Sequence, residues 1–168
     1  MCRHVAPPPA DLAIHWLTRH RQDTPYALEG ARMTLVDELI EQARAVREHA
    51  YAPYSGFHVG AAVVSRDGHI YTGCNVENAS YGLTACAERN ALCAAIADGC
   101  KPGDLLHMAV IGDTEAPISP CGACRQAMQE LGGNQLRVTL ANLHGDSRDT
   151  TAGELLPAAF ALIPATTD

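Results

Sequence analysis

From Thr34 onward the apolar residues fall into regular periods. Leu35, Leu39, Ala43, Val46 and Ala50 recur at helical spacing, joined by Val36 and Ile40. They predict an amphipathic helix of about four turns. Thr34 stands at its N-cap, with Asp37 three residues on in capping-box position. Pro53 and Gly56 end the period. "FHVGAAVVS" then reads as a buried strand, "RDGH" as an Asp-Gly turn and "IYTGCNV" as a second strand, together an antiparallel hairpin. "ENASYGLT" is loop, and "CAERNALCAAIADG" is a helix that stops near Gly99. A strand, "LLHMAVIGD", and a loop, "TEAPISP", lead to a further helix, "CGACRQAMQELGG", closed by Gly132 and Gly133. "LRVTLANL" is the fourth strand. "HGDS" turns into a short fifth, and "TAGELLPAAF" ends in a brief helix.

The order αββαβαββ, with its strand–helix–strand steps, predicts an α/β fold in which helices cover both faces of a mixed five-stranded sheet. Residues 1–32 read differently. They hold the proline run "APPPAD", the polar "RHRQDTP" and at most one helical turn in "AIHWL". They are expected to form a loosely ordered extension ahead of a domain over 33–168, and Met33 is a candidate start.

Composition narrows the function classes. A chain of 168 residues with 47% apolar content suits one domain with a sizeable core. Twelve basic against 19 acidic residues give a net charge of −7, and no basic stripe with interleaved aromatics is evident. That disfavours a nucleic-acid partner. No apolar run reaches the roughly 18 residues of a membrane span, and the N-terminus lacks a secretory apolar core. A cytoplasmic protein with no membrane association is expected.

The chemistry lies in the cysteines. "SPCGACRQ", Ser119 to Gln126, fits a redox dithiol, half of a structural zinc clip or part of a catalytic metal site. An odd count of seven, unevenly spaced, argues against disulfide stapling. Cys74 and Cys93 read as packing residues, and Cys2 and Cys100 as incidental. Cys86 opens one predicted helix; Cys121 and Cys124 open another. Adjacent helices in an α/β sheet can start near the same end of the strands, so these three thiols can converge at two helix N-termini. The unpaired N–H groups and partial positive charge there favour thiolate. Three soft ligands suit zinc and leave a fourth tetrahedral position open, as catalytic sites do. Glu88, two residues after Cys86, can reach toward that position and shuttle protons; alone it would equally suit a residue that merely favours the helix dipole. A thioredoxin-like dithiol is the rival for Cys121 and Cys124, but it needs no partner C-x-E. C-x-E followed 35 residues after its cysteine by P-C-x-x-C is the arrangement of zinc nucleobase deaminases, including their three-cysteine form. Three thiolates on Zn²⁺ leave a formal net −1, which helix dipoles and donors from Arg89 or Arg125 to the sulfurs would offset.

"YSGFHVGAAV", "GCNVENASYG", "CAERNAL", "PCGACRQ" and "ELLPAAF", in order and spacing from about Thr34 to Phe160, resemble the short homotetrameric cytidine deaminases. The resemblance implies a three-layer α/β/α sandwich and one Zn²⁺ per subunit, held by Cys86, Cys121 and Cys124. It implies Glu88 as proton shuttle and Arg89 as the arginine that donates to sulfur. Asn75 and Glu77 would read the ribose, Phe57 would pack on the pyrimidine, and the Ala87 backbone would hydrogen-bond the base. Ala79, Tyr81 and Phe160 would reach a neighbouring subunit's site in a homotetramer with shared active sites. The implied activity is hydrolysis of free cytidine and deoxycytidine to uridine and deoxyuridine with release of ammonia, a step of pyrimidine salvage. A deaminase of a modified nucleoside such as blasticidin S, and a non-catalytic zinc-binding interaction domain, are the alternatives.

Overall fold

The computed structural model describes residues 33–161. The expected extension over 1–32, with the helical turn in "AIHWL", lies outside the described residues.

Helix α1, Leu35–Arg47, begins as the sequence requires: Thr34 Oγ1 accepts from the Asp37 N–H and the Asp37 carboxylate accepts from the Thr34 N–H. Strand β1 is Val59–Ser65 and β2 is Ile70–Cys74, joined by a turn in which Gly68 takes φ 90°. A 3-10 turn, Tyr81–Leu83, precedes helix α2, Ala87–Ala97. Strand β3, Leu105–Gly112, leads to helix α3, Gly122–Gly132, which Gly133 closes at φ 75°. Strands β4, Arg137–Asn142, and β5, Ser147–Thr151, follow, and α4, Ala152–Leu155, repeats the capping box with Thr151 and Glu154.

The strands form one sheet in the order β2-β1-β3-β4-β5. β1 pairs antiparallel with both β2 and β3, β3 and β4 are parallel, and β5 returns antiparallel to β4. The sheet is therefore mixed, as expected. Every residue of β1 is buried, because both faces of this strand are covered. Ala62 and Val64 join Ala109, Ile111 and Ala141 beneath Leu39 and Ala43 of α1. Ala61 and Val63 join Met108, Val110, Val138 and Leu140 under α2, with Met128 of α3. Helices thus lie on both faces, giving three layers.

Two glycines set how closely the layers approach. A Cβ at Gly60 would stand 1.9 Å from the Ala43 carbonyl oxygen of α1. At Gly73 it would stand 2.4 Å from the Ala91 backbone nitrogen of α2. Both helices rest on bare sheet backbone at these points.

Two local expectations differ from the structure. Phe57 and His58 precede β1 rather than open it, and Phe57 is 39% exposed. Cys93, expected to pack, is exposed on the outer face of α2.

Candidate active site

Cys86 and Cys121 occupy the same local position on different helices: each is the N-cap residue, with extended backbone, of α2 and α3 respectively. Cys124 lies one turn into α3 and is fully buried. The β–α–β steps into and out of β3 bring both helix starts to one end of the sheet. The three sulfurs lie within 4.8 Å of one another. Cys86 Sγ is 3.9 Å from Cys121 Sγ, which is 3.5 Å from Cys124 Sγ. Tetrahedral zinc with Zn–S bonds of about 2.3 Å separates its sulfurs by about 3.8 Å. The donor set and its spacing therefore fit zinc.

The electrostatics point the same way. The Cys86 thiol is pulled down to about 5, first by a hydrogen bond from Cys124 and then, against burial, by Arg89 and Cys121. The same contact with Cys86, together with burial, pushes Cys124 up. Binding of a divalent ion would favour the thiolate form of all three sulfurs and release their protons. Arg89 Nη2 donates to the Thr84 carbonyl at 2.7 Å and lies 3.8 Å from Cys86 Sγ. Its Nε is buried and has no acceptor among the described residues. A donor in that state beside three sulfurs suits a cluster that carries negative charge.

Arg125 does something else. Its Nε donates to the Pro120 carbonyl at 2.8 Å, Nη1 to the Leu155 carbonyl at 3.0 Å and Nη2 to Ser119 Oγ at 2.9 Å. The guanidinium straps the loop before Cys121 to α4. Gln126 Nε2 extends the strap by donating to the Phe160 carbonyl at 2.8 Å, while the Phe160 ring stays exposed.

Glu88, in the first turn of α2, is 4% exposed. Burial is the main reason its carboxyl titrates above the ordinary glutamate range, and the negative charge of Cys86 adds to it. A carboxyl so placed is suited to holding and releasing a proton. Ala87, immediately before it, is fully buried, and its N–H is among the first of the helix, which lack intrahelical acceptors.

Asn75 and Glu77 leave β2 and turn back to the loop between α1 and β1. Asn75 is buried; its Oδ1 accepts from the Val59 N–H at 2.8 Å and its Nδ2 donates to the Phe57 carbonyl at 2.8 Å. Glu77 Oε2 accepts from the N–H groups of Tyr54, at 2.8 Å, and Ser55, at 3.3 Å. Its Oε1 accepts from Ser55 Oγ at 2.5 Å. Phe57 reaches the end of β3, where a Cβ on Gly112 would lie 3.3 Å from its Cζ. A cavity of about 380 Å³ is lined by Tyr54, Ser55, Glu77, Tyr81 and Thr84. Ala79 is exposed, and the exposed Tyr81 ring packs edge-on to Tyr54 at 6.1 Å. Reasoning from sequence missed Ser55 and Tyr54. Their signal is the turn "APYSG", which places a hydroxyl and two free N–H groups where a carboxylate can collect them.

The comparisons with known proteins agree with this geometry. Residues 33–140 match the model of the cytidine and deoxycytidylate deaminase zinc-binding region. A cytidine deaminase of Sporosarcina psychrophila is 50% identical over 125 residues, covering 74% of this chain and 90% of the relative. One from Mycobacterium tuberculosis is 46% identical over 113 residues, covering 67% and 80%. The crystal structure of cytidine deaminase from Burkholderia pseudomallei superposes with a TM-score of 0.74 at 60% identity, covering 76% of this chain and 100% of that one. Three sulfurs at zinc spacing, a buried carboxyl beside them and these likenesses lead to one conclusion: the chain belongs to the cytidine and deoxycytidylate deaminase family.

Proposed function

We propose that this chain, through its domain over 33–168, hydrolyses free cytidine and deoxycytidine to uridine and deoxyuridine with release of ammonia. The observation that carries this is the placement of Glu88, a buried carboxyl with a raised pKa, beside three thiols spaced for zinc. The curated relatives named cytidine deaminase support it.

Cys86, Cys121 and Cys124 would hold zinc, which would supply Lewis acidity and make water at the site a better acid, with a pKa toward about 7. Glu88 would accept a proton from the attacking water and deliver it to N3 of the pyrimidine, which makes C4 more electrophilic, so that the water oxygen bonds to C4. Glu88 then carries a proton to the departing amine. Net, one water is consumed and one ammonia leaves. Arg89 steadies the thiolate charge from the side. Phe57 packs on the base, the Ala87 backbone meets its edge, and Asn75 and Glu77 hold the sugar.

The chain assembles as a homotetramer in which Ala79, Tyr81 and Phe160 approach a neighbour's site. Exposure of Tyr54, Tyr81, Leu83 and Phe160 at 53–77% supports this, because one copy leaves these large apolar groups in water. Three thiols that must stay reduced suit a cytoplasmic setting and a place in pyrimidine salvage. Among the described residues, no helix is long and apolar enough to cross a membrane.

The test is an ultraviolet assay of zinc-loaded protein with cytidine, deoxycytidine, cytosine and blasticidin S, alongside metal analysis and sedimentation. Turnover of the first two substrates by a zinc-bearing tetramer is expected. Turnover of blasticidin S alone, or zinc-loaded protein inert toward all four, would refute the proposed activity.

A further inference from the structure

We propose that Ser55 is a positioning residue for sugar recognition: its hydroxyl, oriented by the Phe57 N–H, locks the Glu77 carboxylate with one acceptor site facing the sugar. This rests on the proposed reading of Glu77 as a ribose contact.

The argument is a count of lone pairs. An ionised carboxylate has about four acceptor sites, two on each oxygen. Oε2 of Glu77 receives two N–H groups, those of Tyr54 at 2.8 Å and Ser55 at 3.3 Å. Oε1 receives the Ser55 hydroxyl at 2.5 Å. One site remains, on Oε1. The direction of the Ser55 proton is fixed as well. A hydroxyl has one hydrogen, and the Phe57 N–H, 3.0 Å from Ser55 Oγ, donates into its oxygen. The hydrogen must then go to Glu77. The same hydroxyl therefore ties the carboxylate to the backbone of Phe57, the residue placed against the base. The sugar-reading and base-packing groups are held at one hinge, while Asn75 fixes the other side of the loop through Val59 and Phe57. The Ser55 bond is also the foremost reason that Glu77 titrates below the ordinary glutamate range, with the Tyr54 N–H next. That keeps the carboxylate an acceptor only, matched to a sugar hydroxyl.

The test compares cytidine with 2′,3′-dideoxycytidine, whose sugar offers no ring hydroxyl. Loss of one charge-assisted hydrogen bond predicts that Ser55→Ala raises KM for cytidine about fivefold or more, with kcat nearly unchanged. KM for the dideoxy substrate should stay at the wild-type value, and Ser55→Thr should restore cytidine binding. An equal rise for both substrates, or no rise for cytidine, overturns the proposal. Glu77→Ala separates the two layers: if it raises KM for cytidine and Ser55→Ala does not, only the role of Ser55 fails. If Glu77→Ala has no effect on cytidine, the ribose contact fails with it. Carbon-detected titration of the Glu77 carboxyl in zinc-loaded protein reads the contact independently of turnover. With His58, the neighbouring titratable group, retained, the Glu77 pKa should rise in Ser55→Ala; an unchanged value overturns the proposal.

Discussion

Arg89 directs one guanidinium nitrogen at the sulfur of Cys86, 3.8 Å away, while the same nitrogen holds the Thr84 carbonyl at 2.7 Å. The arginine is thus anchored to the loop ahead of α2 and set against the residue that begins it. Arg89→Ala should weaken zinc retention or turnover by about 10- to 100-fold, the usual effect of losing a partner of a metal ligand. Circular dichroism should show the fold intact. Metal analysis after dialysis against a chelator, with kcat/KM, checks this; wild-type values for both would remove Arg89 from the site's electrostatics.

Glu88→Gln keeps the shape of the side chain and removes its ability to exchange protons. The variant should bind zinc and substrate normally and lose kcat by about 10²- to 10⁴-fold. Single-turnover kinetics with a parallel binding measurement separates the two effects. Normal turnover would refute the shuttle.

Arg125 is predicted to act on stability. Its three hydrogen bonds join Ser119 and Pro120 to Leu155, so Arg125→Ala releases α4 and frees three acceptors. A loss of about 1–3 kcal/mol is expected in urea unfolding. Lysine at this position should recover little of it, because one ammonium cannot span the three acceptors.

Gly60→Ala should cost more than a typical glycine replacement, because the new methyl would meet the Ala43 carbonyl at 1.9 Å. Overpacking of this kind costs about 1–3 kcal/mol or more. Gly82→Ala, in open space, should stay within about 0.5 kcal/mol of wild type. Thermal unfolding of the pair checks that close approach, not loss of glycine itself, is responsible.

His107 links stability to pH. It is buried on β3, its Nε2 lies 2.8 Å from Thr139 Oγ1, and Thr139 donates on to Asp149 at 2.7 Å. Since the Thr139 proton goes to Asp149, Nε2 carries the hydrogen that His107 shares. Burial, followed by the charge of Arg137, holds the imidazole pKa below its ordinary 6.5, with Asp149 opposing. As pH falls below that ordinary value, the unfolded chain takes up the proton first, so folding stability drops until the folded state is protonated too. His107→Gln retains a donor without titrating. Urea unfolding at pH 7.5 and 5.5 should show a smaller acid loss in the variant; identical losses would exclude His107 as the source.

Much of this fold was legible because its periods were unambiguous. The α1 pattern from Leu35 to Val46, the Asp-Gly turn before β2 and the paired glycines that end α3 each have one good solution. The three-sulfur cluster was legible for a different reason: Cys86 and Cys121 sit where helices begin, and the sequence marks helix starts clearly. The exposure of Cys93 is not legible, because "ALCAAIA" is apolar on every side and no period shows which face meets the sheet. The start of β1 is not legible either, because nothing in "GFHVG" marks its first paired residue after Phe57. The network around Glu77 was illegible, since residues 22 and 23 positions apart meet only once the loop closes.

The cysteine cluster also has a topological consequence. Cys86 and Cys121 are 35 residues apart in the chain, and all of β3 lies between them. An ion bound by both is a clasp around a threaded central strand. It can close only after β3 has docked beside β1 and turned both helix starts toward one end. Metal uptake during refolding should therefore report the docking of β3 beside β1, and no short peptide cut from either motif should reproduce the site.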